Sequence, residues 1–425
     1  MDSAGERRGI WAWVGMLLMA AMAWMAGGCA AFDRDAWKRT ADADIARYRQ
    51  RDANVSLVDA AGMPLAGVRL TIRQRAKSFP FGSAISGGFL RNAKWQEEFK
   101  EHFNWAVFEN ETKWYSNEPA QGRVNYRQAD ALAAWCEANG VKVRGHCIYW
   151  AVDKWQQAWL AALDAEDLRA AVERRMEVVT HFAGRVQSWD VDNEMLHGSF
   201  FADRLGAGIR PWMFERAHAL DSGVQLFTND YNILSVDQSF KRVQTQAYAE
   251  QIRGLLKQGA PITGIGVQGH LWTEDILKHP EVIRQRLDLL AKLGLPIWIT
   301  EFDVADADPR VRADKLELIY RTAYSDPAVQ GIMMWVFWAG NSWRGANAAL
   351  FDQDWNINEE GRRFESLMKE WSTSVSVTTG SDGRCAFRGF HGTYHVERAD
   401  TGAPVGDFEL RPGAGAQVIR LVQPS

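Results

Sequence analysis

The segment Pro296-Ile297-Trp298-Ile299-Thr300-Glu301-Phe302-Asp303 is almost entirely apolar until it reaches two acidic residues near its end. A strand that is apolar on both faces is typical of a parallel sheet covered by helices. Enzymes built on closed parallel sheets place their chemistry at the carboxyl ends of the strands. The segment therefore predicts a buried parallel strand that carries Glu301 to such an end.

Further segments of the same kind alternate with amphipathic helical stretches. The strand candidates are Phe79–Ile85, His102–Phe108, Lys142–Ile148, Ser188–Glu194, Gln225–Asp230, Gly264–His270, Pro296–Phe302 and Gly331–Phe337. The helix candidates include Ala129–Asn139, Leu168–Phe182, Lys241–Gln258 and Glu281–Leu293. Eight such units predict an α/β fold, a (β/α)₈ TIM barrel. A doubly wound open sheet is the alternative, but it usually carries a glycine-rich phosphate turn, and none is visible.

The composition changes on both sides of the barrel region. Before it, Asn54–Thr71 alternates apolar and polar residues around a turn sequence, which predicts a β-hairpin. After Trp371 the chain becomes rich in Ser, Thr and Gly, with short strand candidates at Val375–Thr379, Cys385–Phe387, Thr393–Glu397 and Ala416–Val422. Neither flank has enough strands for a stable sheet of its own. We therefore predict one small accessory β-sandwich, residues 51–77 plus 373–425, split by the barrel, residues 78–372.

The N-terminal residues have the pattern of an export signal. Arg7 and Arg8 precede an uncharged, mostly apolar run over residues 10–28, and Cys29 follows directly. The four residues that end in Cys29 resemble the cleavage box of bacterial lipoproteins, in which the cysteine is acylated. We expect a signal peptide that ends at residue 28, lipidation of Cys29, and a linker or helix over residues 29–50. A plain signal peptide or an uncleaved anchor is the alternative.

This pattern places the protein outside the cytoplasm. We expect a lipoprotein of the bacterial outer membrane or cell surface, otherwise a periplasmic or secreted protein, with the lipid anchor as its membrane contact. The net charge of the 425-residue chain is −4, which disfavours a nucleic-acid partner because such proteins present a basic face. We expect a monomer.

Cysteine and tryptophan usage narrows the chemistry. Cys136, Cys147 and Cys385 are too widely and irregularly spaced for a zinc site or a disulfide framework, so we expect no metal and no cofactor. The 20 tryptophans are many for this length. Most tryptophans in proteins are core anchors, but flat indoles also stack on the C–H faces of sugar rings. The excess therefore suits a carbohydrate site.

Two glutamates close predicted strands in matching places. The fourth strand ends in Asn193-Glu194, and the seventh ends near Glu301. The carboxyl ends of these strands lie across the mouth of a (β/α)₈ barrel, so the two side chains can flank a glycosidic bond. A single glutamate at a strand end is more often a cap or a salt-bridge partner. Two in matching positions, each with polar neighbours, favour a catalytic pair.

The segments around both acids resemble a known family. "WDVDNEMLHG" (residues 189–198) and "PIWITEFDV" (residues 296–304) resemble the acid/base and nucleophile segments of glycoside hydrolase family 10, the endo-1,4-β-xylanases. Further landmarks follow in the family's order: "FENETKW", "VRGHCIYW", "FTNDYN", "GIGVQGHL" and the pair Trp335 and Trp343. The resemblance covers about residues 78–372. Its layout is closest to plant-like members, here behind a bacterial lipoprotein signal.

The resemblance implies a retaining enzyme that cleaves internal bonds of xylan or xylo-oligosaccharides. It assigns Glu194 as acid/base and Glu301 as nucleophile. Asn193 would bind the sugar 2-hydroxyl, and His270, held by Asp303, would bond Glu301 and keep it ionised. The implied substrate-binding residues are Glu109, Asn110, Lys113, His146, Trp150, Tyr231, Gln268, Trp335 and Trp343.

General chemistry agrees with these assignments. A nucleophile must be charged, and hydrogen bonds to its oxygens stabilise the charged form. An acid must hold its proton, and a nearby negative carboxylate raises its pKa. In a retaining enzyme the two carboxyl groups should lie about 5–5.5 Å apart.

One stretch departs from the family pattern, and two other functions stay open. After Trp150 the chain reads Ala-Val-Asp-Lys-Trp155, where many members have a His and a Gln that contact the sugar. We expect a changed contact there. The protein could be another retaining β-glycosidase acting on glucan, mannan or aryl glycosides, or a non-catalytic glycan-binding surface lipoprotein. Loss of either carboxylate would favour the last alternative, and both are present.

Overall fold

The computed structural model describes residues 35–235, 244–271 and 276–423. The predicted signal peptide and Cys29 lie outside the described residues. The chain divides into two compact units, Met1–Thr40 and Ala41–Ser425. Of the first unit, only the start of the helix Ala36–Tyr48 is described. Within the described ranges, no helix is both long enough and apolar enough to cross a membrane.

The regular elements alternate through most of the second unit. In chain order the strands are β1 (Gln50–Val58), β2 (Arg69–Lys77), β3 (Phe81–Ile85), β4 (Trp105–Phe108), β5 (Lys142–Gly145), β6 (Tyr149–Trp150), β7 (Ser188–Asn193), β8 (Gln225–Asp230), β9 (Gly264–Val267), β10 (His270–Leu271), β11 (Ile297–Val304), β12 (Val329–Met334), β13 (Ser374–Thr378), β14 (Arg384–Phe390), β15 (Gly392–Arg398), β16 (Pro404–Leu410) and β17 (Gln417–Val422). After Ala36–Tyr48, the helices are Ala93–His102, Trp114–Asn117, Arg127–Ala138, Ala158–Ala161, Ala165–Arg175, Glu177–His181, Phe200–Leu205, Ile209–Leu220, Thr245–Lys257, Glu281–Ala291, Pro309–Ser325 and Glu359–Glu370.

Eight parallel strands close into a barrel. Their order is β3-β4-β5-β7-β8-β9-β11-β12, and β12 pairs with β3 to complete the ring. Every residue of β7 and of β11 is buried, as expected for strands covered on both faces. This arrangement confirms the predicted (β/α)₈ barrel.

Large side chains from one strand fill the space above glycines of the next. A Cβ atom at Gly145 would lie 2.3 Å from the ring of Trp189, and a Cβ at Gly331 would lie 2.5 Å from the ring of Trp298. Such distances are far below normal van der Waals contact, so only glycine fits at these positions. The bulky rings thus occupy the space that the glycines leave open between neighbouring strands.

Two of the predicted strands are interrupted, and both breaks fall at the carboxyl end of the barrel. Lys142–Ile148 was expected to be continuous, but β5 ends at Gly145 and the chain pairs again only at β6. In the same way β9 ends at Val267 and β10 resumes at His270 beside Asp303 of β11. The breaks release His146 and Gln268 from the regular ladder, which lets their side chains enter the region between the strand ends.

The two ends of the chain build two further sheets. One has the order β14-β1-β17 and the other the order β13-β2-β15-β16. Buried apolar residues from both sheets, among them Val55, Leu70, Tyr394 and Ile419, form a common core. The accessory β-sandwich from both chain ends is therefore present. The hairpin predicted over Asn54–Thr71 forms only next to its turn, where Val58 makes an antiparallel bridge with Pro64. The pairing does not continue, because β1 and β2 belong to different sheets.

Candidate active site

A cleft with a volume of about 650 Å³ opens at the carboxyl ends of the barrel strands. Glu194 directly follows β7, and Glu301 lies within β11. Their exposed fractions are 9% and 5%, so both carboxyl groups are largely withdrawn from water. The remaining lining residues are Asn110, Lys113, Tyr115, His146, Trp150, Lys154, Trp155, Asn193, Tyr231, Asn232, Gln268, His270, Trp335, Trp343 and Arg344. The structure thus brings the two predicted acids into one cleft.

Asn229 and Gln268 hold the two acids in a reciprocal arrangement. The side chain of Asn229 donates to Oε1 of Glu301 at 2.8 Å, and its backbone carbonyl accepts from the Glu194 N–H at 2.9 Å. The side chain of Gln268 donates to Oε1 of Glu194 at 3.0 Å, and its backbone carbonyl accepts from the Glu301 N–H at 2.8 Å. Glu194 also has a φ of 62°, a conformation that costs energy for a residue with a side chain. The surrounding bonds therefore fix the acid in a strained position.

Glu301 is held in its ionised form. Burial by itself raises the pKa of this carboxyl group, but positive neighbours outweigh burial and lower the pKa to about 2. His146 acts through its charge, with Nδ1 3.8 Å from Oε1, and Nε2 of His270 lies 3.3 Å from Oε2. The Lys113 ammonium adds a further positive charge. At neutral pH Glu301 has the charge that a nucleophile requires.

Asp303 keeps His270 charged. Burial alone lowers the pKa of the imidazole, but Asp303 and Glu301 raise the pKa to about 9. Nδ1 of His270 donates to Oδ1 of Asp303 at 2.9 Å. The same carboxylate accepts from the Trp343 indole at 2.8 Å and pairs with Arg344 at 3.1 Å. The predicted support of His270 by Asp303 is thus visible as a direct hydrogen bond.

Glu194 has the opposite electrostatic setting. Burial is the largest cause that raises its pKa to about 7, and the negative charges of Asp230 and, less strongly, Glu301 act in the same direction. Hydrogen bonds from Gln268 and from the Trp150 indole, which lies 2.8 Å from Oε2, lower the pKa. The prediction that a nearby carboxylate raises the pKa of Glu194 is right in direction, but burial raises this pKa more. Glu194 can therefore hold a proton near neutral pH and release it when its surroundings change.

The predicted hydroxyl-binding residues form one wall of the cleft. Lys113 is buried, and its Nζ lies 3.3 Å from Oδ1 of Asn110. The same ammonium lies 4.7 Å from the ring centre of Trp150 and 5.7 Å from that of Trp335. The ring of His146 packs edge-on against Trp335. This wall combines flat rings with charged donors, as the binding of a sugar requires.

The remaining predicted residues have different surroundings. Asn193 accepts a bond from Asn229 at 3.0 Å, while its buried Nδ2 finds no acceptor among the described residues, which leaves a donor for a ligand. Tyr231 lines the cleft and stacks on His197, with ring centres 3.6 Å apart. Glu109 is the exception: its Oε2 accepts from Asn341 at 2.8 Å, and it is not among the described residues that line the cleft.

The sequence model of one family covers this barrel and its cleft. The model described as "Glycosyl hydrolase family 10" matches residues 71–360, which is more than half of the chain. The chain belongs to glycosyl hydrolase family 10.

Curated relatives agree with this membership. The chain is 40% identical over 385 residues to "Anti-sigma-I factor RsgI6" from Acetivibrio thermocellus, an alignment that covers 90% of this chain and 49% of the relative. It is also 40% identical over 352 residues to "Endo-1,4-beta-xylanase 1" from Arabidopsis thaliana, covering 83% of this chain and 36% of the relative. The chain thus spans about half of the first relative and about a third of the second.

Solved structures of family 10 share the barrel. The crystal structure of xylanase 10B from Thermotoga petrophila in complex with xylobiose matches with a TM-score of 0.61 and 26% identity, covering 69% of this chain and 94% of that one. Native xylanase 10B from Thermotoga maritima gives a TM-score of 0.60, also at 26% identity, and covers 69% of this chain and 96% of that one. Both matches leave about a third of this chain outside the shared fold.

The sequence-based site omits residues that support the family 10 cleft. Asn229 bonds both acids, as described above. Asp190 accepts from Nδ1 of His146 at 2.9 Å and pairs with Arg144. Asp230 accepts from His197 at 2.6 Å and contributes to the raised pKa of Glu194. A signal was present, because a polar residue inside an apolar strand needs a buried partner.

The stretch that departs from the family 10 pattern presents an aromatic surface. The ring of Trp155 stacks on that of Trp150, with centres 4.8 Å apart and planes inclined by 21°. Trp155 is 41% exposed, and it lines the cleft together with Lys154. Gln156 fixes the turn by donating to the carbonyl of Val152 at 3.0 Å. Instead of polar hydroxyl ligands, this edge of the cleft offers an indole face.

Proposed function

We propose that this chain is a retaining endo-1,4-β-xylanase that hydrolyses internal bonds of xylan by double displacement. The observation that carries the proposal is the opposite tuning of two carboxyl groups in one cleft. The pKa of Glu301 is lowered to about 2 and that of Glu194 is raised to about 7. Between these values one group is ionised while the other keeps its proton, which is the division of labour that glycoside hydrolysis needs.

The first step forms a covalent intermediate. A carboxylate oxygen of Glu301 attacks the anomeric carbon of the sugar, and the bond from that carbon to the leaving oxygen breaks. Glu194 gives its proton to the leaving oxygen, so the departing chain leaves as a neutral alcohol. His270 and Asn229, which bond the oxygens of Glu301 before attack, hold the nucleophile in position.

The second step returns the enzyme to its starting state. Once Glu301 is an ester its negative charge is gone, and one cause of the raised pKa of Glu194 disappears with it. The pKa of Glu194 therefore falls, and the carboxylate removes a proton from water. The resulting hydroxide attacks the anomeric carbon, the ester bond breaks, and the sugar is released with its original configuration.

The choice of xylan rests on similarity and on the residues around the acids. Several relatives are named endo-1,4-beta-xylanases, and a structural neighbour was solved with xylobiose. Another relative is named an anti-sigma-I factor, so membership of the family does not by itself establish turnover. The presence of both carboxyl groups with opposite pKa shifts favours an active enzyme over a glycan-binding protein.

Product analysis tests the proposal. The chain is incubated with xylan, mixed-linkage glucan and mannan, and the anomeric protons of the first products are followed by NMR. We expect β-anomers from xylan first, with the α-anomer growing in only by mutarotation. Glu301→Gln should bind xylo-oligosaccharides and give no products. Initial α-anomers would contradict retention, and preferential cleavage of glucan or mannan would contradict the assigned substrate.

We also propose that the protein is exported and acylated on Cys29. Support comes from the Arg7-Arg8 pair, the apolar run over residues 10–28 and the position of the cysteine directly after it. Expression in a bacterium with a labelled fatty acid tests this. We expect label in the wild type, none in Cys29→Ala, and label retained in the control Cys385→Ala. Equal labelling of both variants would contradict acylation at Cys29.

A further inference from the structure

A second cavity, of about 470 Å³, lies at the other end of the barrel. Phe81 and Asn104, at the amino ends of β3 and β4, form one side of it, and Gln74–Lys77 from the accessory sandwich form another. The C-terminal part of the helix Glu359–Glu370 forms a third. The cavity shares no lining residue with the active-site cleft. Any ligand bound there is remote from the reacting bond.

The lining of this cavity is positive although the chain as a whole is negative. Arg75, Lys77, Lys100 and Lys369 contribute four cations, against the two carboxylates Glu101 and Glu365. Across the three described ranges, none of these four cations forms an ion pair with a carboxylate. Glu365 is already engaged by His102 at 3.2 Å. An excess of two positive charges therefore faces one concave surface.

The partial burial of Lys77 makes the excess positive charge of the cavity unfavourable when no anion is bound there. Nζ of Lys77 donates to the carbonyl of Trp371 at 2.7 Å and to the hydroxyl of Ser372. Both acceptors directly follow the helix Glu359–Glu370, so the ammonium lies at the end of that helix. Both acceptors are neutral, so neither compensates the charge of the ammonium. Burial lowers the pKa of Lys77 to about 8. A bound anion would offset part of the cost of burying this charge.

Apolar side chains complete the cavity and narrow the class of ligand. Phe81, Phe103 and Met368 line it beside the cations. A small inorganic anion would use the charges alone, whereas a sugar that carries a carboxylate would use both kinds of surface. We propose that this cavity binds a carboxylate-bearing sugar, such as a uronosyl branch of a polysaccharide. This proposal rests on the proposed function in one respect, namely that xylan is the polymer that presents the sugar.

Because the cavity is remote from the acids, binding there acts on retention of the polymer and leaves the chemical step unchanged. Occupancy should lower KM for xylan that carries uronosyl branches and leave kcat unaltered. Neutral xylo-oligosaccharides should show neither effect. The interaction should weaken with added salt, because the cations on the rim are exposed.

Calorimetric titration with glucuronate, xylose and inorganic phosphate tests the site. The test variant is Lys100→Ala/Lys369→Ala, since both lysines are exposed, and the matched control is Lys257→Ala/Lys292→Ala, which removes two exposed lysines elsewhere. We expect saturable glucuronate binding to the wild type and the control, and at least tenfold weaker binding to the test variant. Xylose should not bind there, and phosphate should bind more weakly than glucuronate.

Three results would overturn the proposal. Equal glucuronate affinity in both double variants would show that the cavity is not the site. Phosphate binding as tight as that of glucuronate would show a simple anion site without a sugar subsite. Displacement of bound glucuronate by neutral xylohexaose would show that glucuronate binds in the active-site cleft. Because each readout is binding, failure of the proposed hydrolysis would be seen separately, in the product analysis.

Discussion

Nε2 of Gln268 lies 3.0 Å from Oε1 of Glu194. The bond stabilises the charged form of the acid and lowers its pKa, against the larger effect of burial, which raises it. Gln268 also holds Glu301 through its backbone carbonyl. One residue in the break between β9 and β10 therefore links the position of the nucleophile to the acidity of the proton donor.

Replacement of Gln268 by Leu should move the alkaline limb of the activity profile to higher pH. Activity is lost as Glu194 releases its proton, so kcat/KM of the wild type should fall as pH rises through about 7. Without the hydrogen bond the pKa of Glu194 rises, and the limb follows it. The profile of kcat/KM against pH on xylohexaose, whose leaving group needs the proton of Glu194, measures this, with the exposed Gln258→Leu as control. A limb that stays in place, or that moves to lower pH, would contradict the assigned acid.

Asp303→Asn should lower the pKa of His270. Burial lowers the pKa of this imidazole, but Asp303 and Glu301 raise it to about 9. With a neutral amide in place of the carboxylate, the imidazole should lose its proton at a lower pH than in the wild type. NMR of the imidazole protons against pH measures the shift. The exposed Asp354→Asn serves as control, and coincident His270 titrations in the two variants would argue against support of His270 by Asp303.

Glu194→Ala should separate substrates by their leaving groups. A xylan chain is a poor leaving group and needs a proton from Glu194, so its cleavage should fall by about 10²–10⁴-fold. A dinitrophenyl xyloside needs no such proton, and the rate of its first step should fall far less. Burst kinetics on the aryl substrate and product formation from xylan give the two numbers. Equal losses on both substrates would exclude Glu194 as the general acid.

The sequence determines the barrel and the two acids because their signals are local. Runs such as residues 296–303 are apolar on both faces, and Glu194 and Glu301 stand where those runs end. The reciprocal bonds of Asn229 and Gln268 depend on how adjacent strands are aligned in space, which no single segment encodes. The break after Gly145 is hard to see in the sequence, because Cys147 and Ile148 are apolar. The break after Val267 does leave a signal, the pair Gln268-Gly269, and Gly269 has a φ of 80°.

The hairpin over Asn54–Thr71 does not extend beyond the bridge of Val58 with Pro64, and the reason is similar. Alternation of apolar and polar residues reports that each strand has one buried face, and both β1 and β2 do. It does not report which strand lies beside which. β1 pairs instead with β14 and β17, which are more than 300 residues away in the chain.

Trp155→Ala should weaken the binding of long substrates more than that of short ones. Trp155 stacks on Trp150 and lies at the rim of the cleft, so it reaches sugars away from the acids. Loss of one aromatic stacking contact of about 0.5–1.5 kcal/mol corresponds to a roughly twofold to thirteenfold rise in KM. Steady-state kinetics on xylotriose and xylohexaose should show this rise for the hexaose alone, with kcat unchanged. Trp155→Tyr should retain most of the affinity, and a uniform loss on both substrates would indicate a structural effect.

Arg49 joins the start of the accessory sandwich to the barrel. Its guanidinium is buried and donates to the carbonyls of Tyr324, Asp326 and Val329 at 2.6–2.8 Å. It also lies 4.8 Å from the ring centre of Phe79, where the chain enters the barrel. The three carbonyls lie in the last turn of the helix Pro309–Ser325, directly after that helix, and at the first residue of β12. One side chain therefore provides the donors for the whole connection between the helix and the strand.

Replacement of Arg49 by Met should therefore destabilise the barrel, although it lies far along the chain from the elements it bonds. Removal of the guanidinium leaves buried carbonyls without donors, at a cost of roughly 2–5 kcal/mol in the free energy of unfolding. Arg47→Met is a matched control, because Arg47 is exposed on the neighbouring helix and should change the stability by less than about 0.5 kcal/mol. Urea unfolding followed by tryptophan fluorescence compares the two midpoints. Because the hydrogen bonds of Arg49 join the β-sandwich to the barrel, we expect both to unfold at a lower urea concentration in Arg49→Met. Equal midpoints in the two variants would show that other contacts hold the connection.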